Sequence, residues 1–294
     1  MVQRLPEWLK IRIPRPDVIK EVEQMMRKAR LHTVCESARC PNLPECWSQK
    51  IATFMILGDT CTRACGFCAI KVGRPLSIDP EEPDNVAKVA EELGLKHIVV
   101  TSVARDDLPD EGSAQFAKTV SALHERLPYA IVEVLTPDFK GKRECIQTVC
   151  DSKPEIYNHN VETVKRLHVI VRPQAKYERS LRVLETVKEI APKIYTKSGI
   201  MLGLGETREE VIETLRDLRN VGVDAVTIGQ YLRPTMRHLP VNTFVHPSVF
   251  EEYKKIGEDM GFLFVASGPF IRSSYNAIEF SKKVMAERFA SLEA

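Results

Sequence analysis

Six of the eight cysteines in this 294-residue chain fall between Cys35 and Cys68, and their spacing carries the chemistry of the sequence. Cys61, Cys65 and Cys68 stand in CTRACGFC, a CxxxCxxC triad. Structural zinc sites generally draw four ligands from paired knuckles, and ferredoxins give four thiolates to each cubane. Three thiolates on a four-iron cluster leave one iron open. An open iron can chelate a small molecule, and a cluster at low potential can pass that molecule an electron. A structural zinc or a plain electron-transfer cluster is the alternative use of the same thiols. Cys35, Cys40 and Cys46 form a second triad, CESARCPNLPEC, which ends 15 positions before the first begins. Pro41 and Pro44 predict a loop there, from which thiolates can converge on one centre, with zinc again the alternative. Cys145 and Cys150 lie five apart on a predicted helix, about 140° apart around it, and read as core residues.

The chain balances 42 Lys and Arg against 40 Asp and Glu, with 44% hydrophobic residues. That composition excludes disorder, collagen and a disulfide miniprotein. A net charge of +2 provides no basic field for nucleic acid. The opening MVQRLPEWLKIRIPRPD breaks its apolar stretches with Arg, Lys and Pro, unlike a signal peptide. No run approaches the ~18 apolar residues of a membrane span. The expected compartment is the cytoplasm, where clustered thiols stay reduced and serve as ligands rather than disulfides. Between Arg4 and Arg30, eight basic residues outnumber four acidic ones, which suits a solvated face or a dock for an acidic protein.

The elements that must position these thiols are βα units. A helix is predicted near Asp17 to Arg30 behind Pro16. Strands are predicted at 52–58, 97–102, 130–135, 155–160, 196–202 and 224–232, alternating with amphipathic helices such as 84–94, 113–127 and 207–222. Six units fall short of the eight strands of a TIM barrel. The expected fold is therefore α/β, a partial (β/α)6 TIM-like barrel with N- and C-terminal extensions. Its parts are residues 1–50 with the Cys35 triad, 51–237 as barrel, and 238–294 with the run SGPFIRSSYNA, a helix near 248–260, a strand near 262–265 and a closing helix near 277–291. GLGE at 203–206 is no dinucleotide loop, because Arg208 stands where the third glycine of GxGxxG belongs. Its glycines are expected to let backbone approach a ligand at a strand end. DDLPDE, from Asp106, reads as a solvated acidic loop rather than a catalytic dyad. No hydrolase triad, Walker loop or HExxH helix is present.

CxxxCxΦC with an aromatic at Φ, here Phe67, resembles the signature of the radical S-adenosylmethionine superfamily. The two triads together resemble the lipoyl synthase family, as do VTSVARDDLPDEGS, NHNVET, KSGIMLGLGE, QYLRPTMRHLPV and GPFIRSSYNA. The resemblance implies two 4Fe-4S clusters and S-adenosylmethionine. Cys61, Cys65 and Cys68 would hold the cluster that cleaves S-adenosylmethionine to a 5′-deoxyadenosyl radical. Cys35, Cys40 and Cys46, completed by Ser274, would hold an auxiliary cluster. Phe67, Ser102, Asn158, Asn160, Arg172, Lys197 and Gln230, at or near strand ends, are candidate contacts for S-adenosylmethionine, and the GLGE loop would meet its adenosyl part.

By the same resemblance the reaction is insertion of two sulfurs, drawn from the auxiliary cluster, at C6 and C8 of an octanoyl chain on a carrier lysine. The implied partners are the lipoyl domains of 2-oxoacid dehydrogenase E2 chains, the glycine-cleavage H protein, and an electron donor such as ferredoxin or flavodoxin. Neither nucleic acid nor a membrane is an expected partner. A radical enzyme acting on a free small molecule, as biotin synthase does, shares the Cys61 triad but not the Cys35 triad or RSSY. An iron–sulfur electron carrier would make no 5′-deoxyadenosine.

Overall fold

The computed structural model describes residues 4–10, 16–48 and 53–274, together with Phe280 and Val284. Helix α1 (Pro16–Lys28) buries Val22 and Met26 against the core that holds Trp47. Strand β1 (His32–Thr33) leads into α2 (Val34–Ser37), followed by α3 (Leu43–Ser48). The loop predicted around Pro41 and Pro44 is in part helical: Pro41 lies in the turn between α2 and α3, and Pro44 within α3. Thr33 caps α2 by accepting from Glu36 N at 3.3 Å. Pro44 sits in the first turn of α3, where its missing N–H has no helical partner to lose.

Strand β2 (Thr53–Ile56) opens the barrel, and the short β3 (Thr60–Cys61) and β4 (Lys71–Val72) pair with each other. Then come α4 (Glu82–Glu92), β5 (His97–Ser102), α5 (Ser113–Arg126), β6 (Ile131–Leu135), α6 (Arg143–Asp151), β7 (Ile156–Asn158), α7 (His168–Val171), α8 (Tyr177–Ile190), β8 (Tyr195–Leu202), α9 (Arg208–Asn220), β9 (Ala225–Gln230), α10 (Pro247–Asp259) and β10 (Phe264–Gly268). All six predicted barrel strands form. The strands are rich in Val and Ile and buried on both faces, the pattern of a parallel sheet covered by helices. Thr207 and Glu210 close a capping box at the start of α9.

The main sheet runs β1-β2-β5-β6-β7-β8-β9-β10, open at both described edges, and every pairing except β1 with β2 is parallel. Strand β10 comes from the region assigned to the C-terminal extension. It pairs with β9 from Phe264↔Ala225 to Gly268↔Gly229, so the extension adds a seventh parallel strand to the barrel. Phe280 and Val284 pack on Ile131, Ile156 and Ala225, which lie at the starts of β6, β7 and β9. The rest of the predicted 277–291 helix lies outside the described residues.

Inside the barrel, Glu133 on β6 is fully buried and faces Lys197 on β8, whose Nζ lies 3.0 and 3.1 Å from its two oxygens. Asn158 Nδ2 donates to the same carboxylate at 2.7 Å, and His97 Nε2 lies 3.2 Å from it. Burial alone would raise this carboxyl. The Lys197 charge and the His97 contact prevail and hold it down at about 2. Cys145 and Cys150 are buried on α6 in the barrel core.

Candidate functional site

The strand ends carry a cavity of about 450 Å³ whose wall includes Cys61, Cys65 and Cys68 from the barrel and Cys40 from the N-terminal extension. The first triad rides on a loop closed at its base by the β3–β4 pair. Its free backbone groups are claimed from several sides. Ala64 N donates to Gln174 Oε1 at 2.7 Å and Gly66 N to Val171 O at 2.9 Å. Leu239 N donates to Gly66 O at 3.0 Å, and His238 Nε2 lies 3.0 Å from Cys68 O. A side chain at Gly66 would stand 2.8 Å from Leu239 Cδ1, so glycine permits that close approach. Cys61 Sγ lies 3.3 Å from Ala104 N and 3.4 Å from Arg63 N, both of which donate to it.

Burial pushes two thiols of this loop upward: Cys65 is raised, and Cys68 is pushed to about 12, with Cys65 and Cys61 adding to the effect. The second triad behaves alike. Burial and then Cys40 raise Cys35 to about 11, while burial and then Cys35 and Cys40 raise Cys46 to about 12. The thiols of each triad therefore sense one another. Buried thiols with raised values stay protonated until something that stabilises thiolates binds. Among the described residues no three His, Cys, Asp or Glu side chains close tightly on a single ion; thiolates that each bind a different iron of one cluster need no such closure.

The Cys35 triad is assembled across the sequence. Cys35 lies in α2 and Cys46 in α3, with Cys40 between them, its N donating to Cys35 O at 2.9 Å. Asn42, buried at 1% exposure, donates from Nδ2 to Phe270 O at 2.7 Å. That bond ties the triad to the run that follows β10. Arg272 and Ser273 of this run line the cavity, and Ser274 is half-buried just beyond them.

Of the seven residues predicted to contact a cofactor, Phe67, Ser102, Asn160, Arg172 and Gln230 line the cavity. Asn158 and Lys197 do not. They lie deeper in the barrel, committed to Glu133. Four wall residues carry buried polar atoms without a partner: Ser102 Oγ, Thr136 Oγ1, Asn160 Oδ1 and Arg172 Nε. Such atoms are costly to leave unpaired. A ligand that carries both donors and anionic oxygens satisfies this set. His159, also on the wall, donates from Nδ1 to Thr136 O at 2.9 Å and accepts at Nε2 from Ser180 Oγ at 3.0 Å. Burial and then the Arg172 charge lower it to about 4, so it stays neutral.

Two expectations change. Gly203 and Gly205 adopt φ values of +98° and +104°, but the close neighbours of Gly203 are Gln230 Nε2 and Thr243 O, so this backbone packs on protein. Gln230 meanwhile uses Nε2 to hold Leu202 O and Thr243 O at 3.1 Å each, and its Oε1 accepts from Val245 N at 2.8 Å. The acidic run after β5 is not merely solvated either. Asp106 accepts from Arg63 Nε and Nη2 at 2.8 and 2.6 Å, and Asp107 accepts from Arg105 at 2.9 Å. Arg63, Asn42 and His238 are the site-shaping residues that sequence reasoning missed. For Arg63 the available signal was an arginine inside CTRAC and an acidic pair in ARDD.

The profile of the radical SAM superfamily matches residues 55–218, and that of the N-terminal domain of lipoyl synthase matches residues 2–40. Lipoyl synthase from Rubrobacter xylanophilus is 56% identical over 274 residues, which cover 93% of this chain and 85% of that protein. Lipoyl synthase from Caldanaerobacter subterraneus subsp. tengcongensis is 55% identical over 277 residues, covering 94% and 97%. Among solved structures, methylornithine synthase aligns with a TM-score of 0.54 at 13% identity over 88% of this chain and 86% of that one, a likeness of fold. The chain belongs to the lipoyl synthase family of the radical SAM superfamily.

Proposed function

We propose that the cavity is where an octanoyl-lysine on a carrier protein receives two sulfurs at C6 and C8, with the two triads holding two different 4Fe-4S clusters. The observation that carries this reading is the meeting of Cys40 with Cys61, Cys65 and Cys68 on one wall. When bound, these groups together with S-adenosylmethionine supply a 5′-deoxyadenosyl radical able to take hydrogen from an unactivated methylene, and sulfide to replace it. An alkyl chain has no acidic proton, so the protein's part is to hold, orient and exclude water.

Cys61, Cys65 and Cys68 would bind three irons and leave the fourth for the amino and carboxylate groups of S-adenosylmethionine. Arg172, whose Nη1 donates to Asn160 O at 2.7 Å, keeps Nε for an anionic oxygen, while Ser102 and Asn160 offer a hydroxyl and an amide. Phe67 supplies an aromatic face at the same wall. Met55, Leu135, Met201 and Leu232 are apolar parts of the wall, suited to an eight-carbon chain. Cys35, Cys40 and Cys46 would bind the auxiliary cluster, with Ser274 as its labile oxygen ligand, since a hard alkoxide is a poor partner for soft iron–sulfur.

The carriers are lipoyl domains of 2-oxoacid dehydrogenase E2 chains and the glycine-cleavage H protein, and the reductant a ferredoxin or flavodoxin. Among the described residues no helix is long and apolar enough to cross a membrane, and the carrier chemistry belongs in the cytoplasm. The test is anaerobic reconstitution with dithionite, S-adenosylmethionine and an octanoyl-lysine peptide, read by mass spectrometry. Dithiolated peptide is expected; 5′-deoxyadenosine without sulfur in the peptide would refute the reading.

A further inference from the structure

Arg63 stands between Cys61 and Cys65 with its side chain only 7% exposed. A buried guanidinium without partners costs several kcal/mol, and here three of its nitrogens are engaged. Nε and Nη2 donate to the two oxygens of Asp106 at 2.8 and 2.6 Å, and Nη1 lies 2.7 Å from Asp138 Oδ1. Asp106 follows β5 and Asp138 follows β6. One side chain on the cysteine loop thus reaches the ends of two neighbouring barrel strands.

Thr62 reinforces the contact. Its N and Oγ donate to Ala104 O at 3.1 and 3.0 Å, Oγ also lies 2.7 Å from Asp106 Oδ2, and it accepts from Asp106 N at 3.1 Å. Asp138 is itself fixed, accepting from Lys140 N and Arg179 Nη1 at 3.1 Å each. These bonds join the cysteine loop to the loop after β5, and Arg63 N from the first and Ala104 N from the second both donate to Cys61 Sγ. With its fork committed to carboxylates, Arg63 is not the wall cation that meets an anionic ligand; Arg172, with Nε unpartnered, is.

We propose that Arg63 is a positioning residue: by clamping the cysteine loop to Asp106 and Asp138, it holds two backbone N–H donors on the Cys61 sulfur and so sets the hold and the potential of the cluster bound there. The proposal rests on the reading of Cys61, Cys65 and Cys68 as ligands of that cluster. Hydrogen bonds to a ligating sulfur draw charge from it and raise the reduction potential. Loss of the clamp lengthens those bonds, lowers the potential and loosens the cluster. The planar fork matters as well as the charge, because an ammonium cannot span both oxygens of Asp106 and reach Asp138.

The test uses the full chain with Cys35, Cys40 and Cys46 replaced by alanine, so that only the Cys61 cluster is reconstituted. Arg63→Gln, Arg63→Lys and Asp106→Asn are compared for iron loss to a chelator, for the paramagnetic resonance spectrum of the reduced cluster and for its midpoint potential. Thermal melting is followed in parallel. All three variants are expected to lose iron about 10- to 100-fold faster, with a broadened spectrum and a more negative potential, while Asp106→Asn, in which Asp138 still pairs with Arg63, loses less melting temperature than Arg63→Gln yet as much of its hold on iron. Unchanged release and spectra in Arg63→Gln and Asp106→Asn would overturn the proposal. So would faster release that only tracks a fall in melting temperature across the three. Failure of the underlying reading looks different: a cluster signal that survives replacement of Cys61, Cys65 and Cys68.

Discussion

Cys61, Cys65 and Cys68, and Cys40 of the other triad, line one cavity from supports of opposite kinds. The Cys61 triad sits on a loop from a barrel strand, with its backbone bonded to Gln174, Val171, Leu239 and Ala104 and its arginine driven into two strand-end carboxylates. In the Cys35 triad, Cys35 and Cys46 sit on two short helices and Cys40 between them, with Asn42 bonded to Phe270 in the run after β10. A rigid seat suits a centre that must return unchanged after every turnover. The Cys35 seat is instead assembled from segments distant in sequence, held to the barrel by the β1–β2 pairing and by the core that Trp47 shares with Phe54.

The largest effect should come from separating the triads chemically. Replacing Cys61, Cys65 and Cys68 by alanine is expected to remove 5′-deoxyadenosine formation by more than about 1,000-fold, since no open iron remains to pass an electron. Replacing Cys35, Cys40 and Cys46 should leave that cleavage within a few-fold and abolish sulfur incorporation, as chromatography and peptide mass spectrometry can measure. Loss of cleavage in both variants would erase the division of labour.

Next is the frame beneath the rigid seat. Glu133→Gln leaves Lys197 buried without its counter-charge and should cost about 3–5 kcal/mol, measured by denaturant unfolding. Glu133 is held down from its ordinary 4.5 to about 2. Its folded value lies below its unfolded one, so its contribution is complete above 4.5 and fades as pH falls toward 2. The unmodified protein should therefore lose stability across that window, and the variant much less. On the assembled seat, Asn42→Ala should cost only about 1 kcal/mol yet speed iron loss from the Cys35 triad and not from the Cys61 triad. The smallest effect on iron belongs to Cys145 and Cys150, buried in the core on α6. Replacing both with alanine should leave iron content unchanged, and a loss of about half would show that one of them ligates a cluster in place of Ser274.

The barrel was legible because its strands and helices follow their periods over six repeats, and local pattern and long-range packing agree there. The triads were legible because cysteine spacing is itself the chemical signal. Strand β10 was read as an appendage, since nothing in FVASG says which edge it joins; its pairing with β9 is a long-range choice. Asn158 and Lys197, candidate S-adenosylmethionine contacts by their place at strand ends, differ for a similar reason. Alternation puts Asn158 and Asn160 on one face, but how deep a side chain lies depends on where Glu133 sits across the barrel. Asp106 looked solvated because its arginine is 43 positions away. The prolines at 41 and 44 suggest a loop; Pro41 lies in the turn between α2 and α3, but Pro44 stands in the first turn of α3, a use that a loop-favouring residue type does not reveal.

The proposed chemistry requires that each triad hold its own cluster. Iron and sulfide counted per chain after anaerobic reconstitution, in the unmodified protein and the two triple-alanine variants, test it most directly. About eight irons in the first and about four in each variant are predicted. Four irons in the unmodified protein, or a triple-alanine variant that keeps all eight, would contradict it.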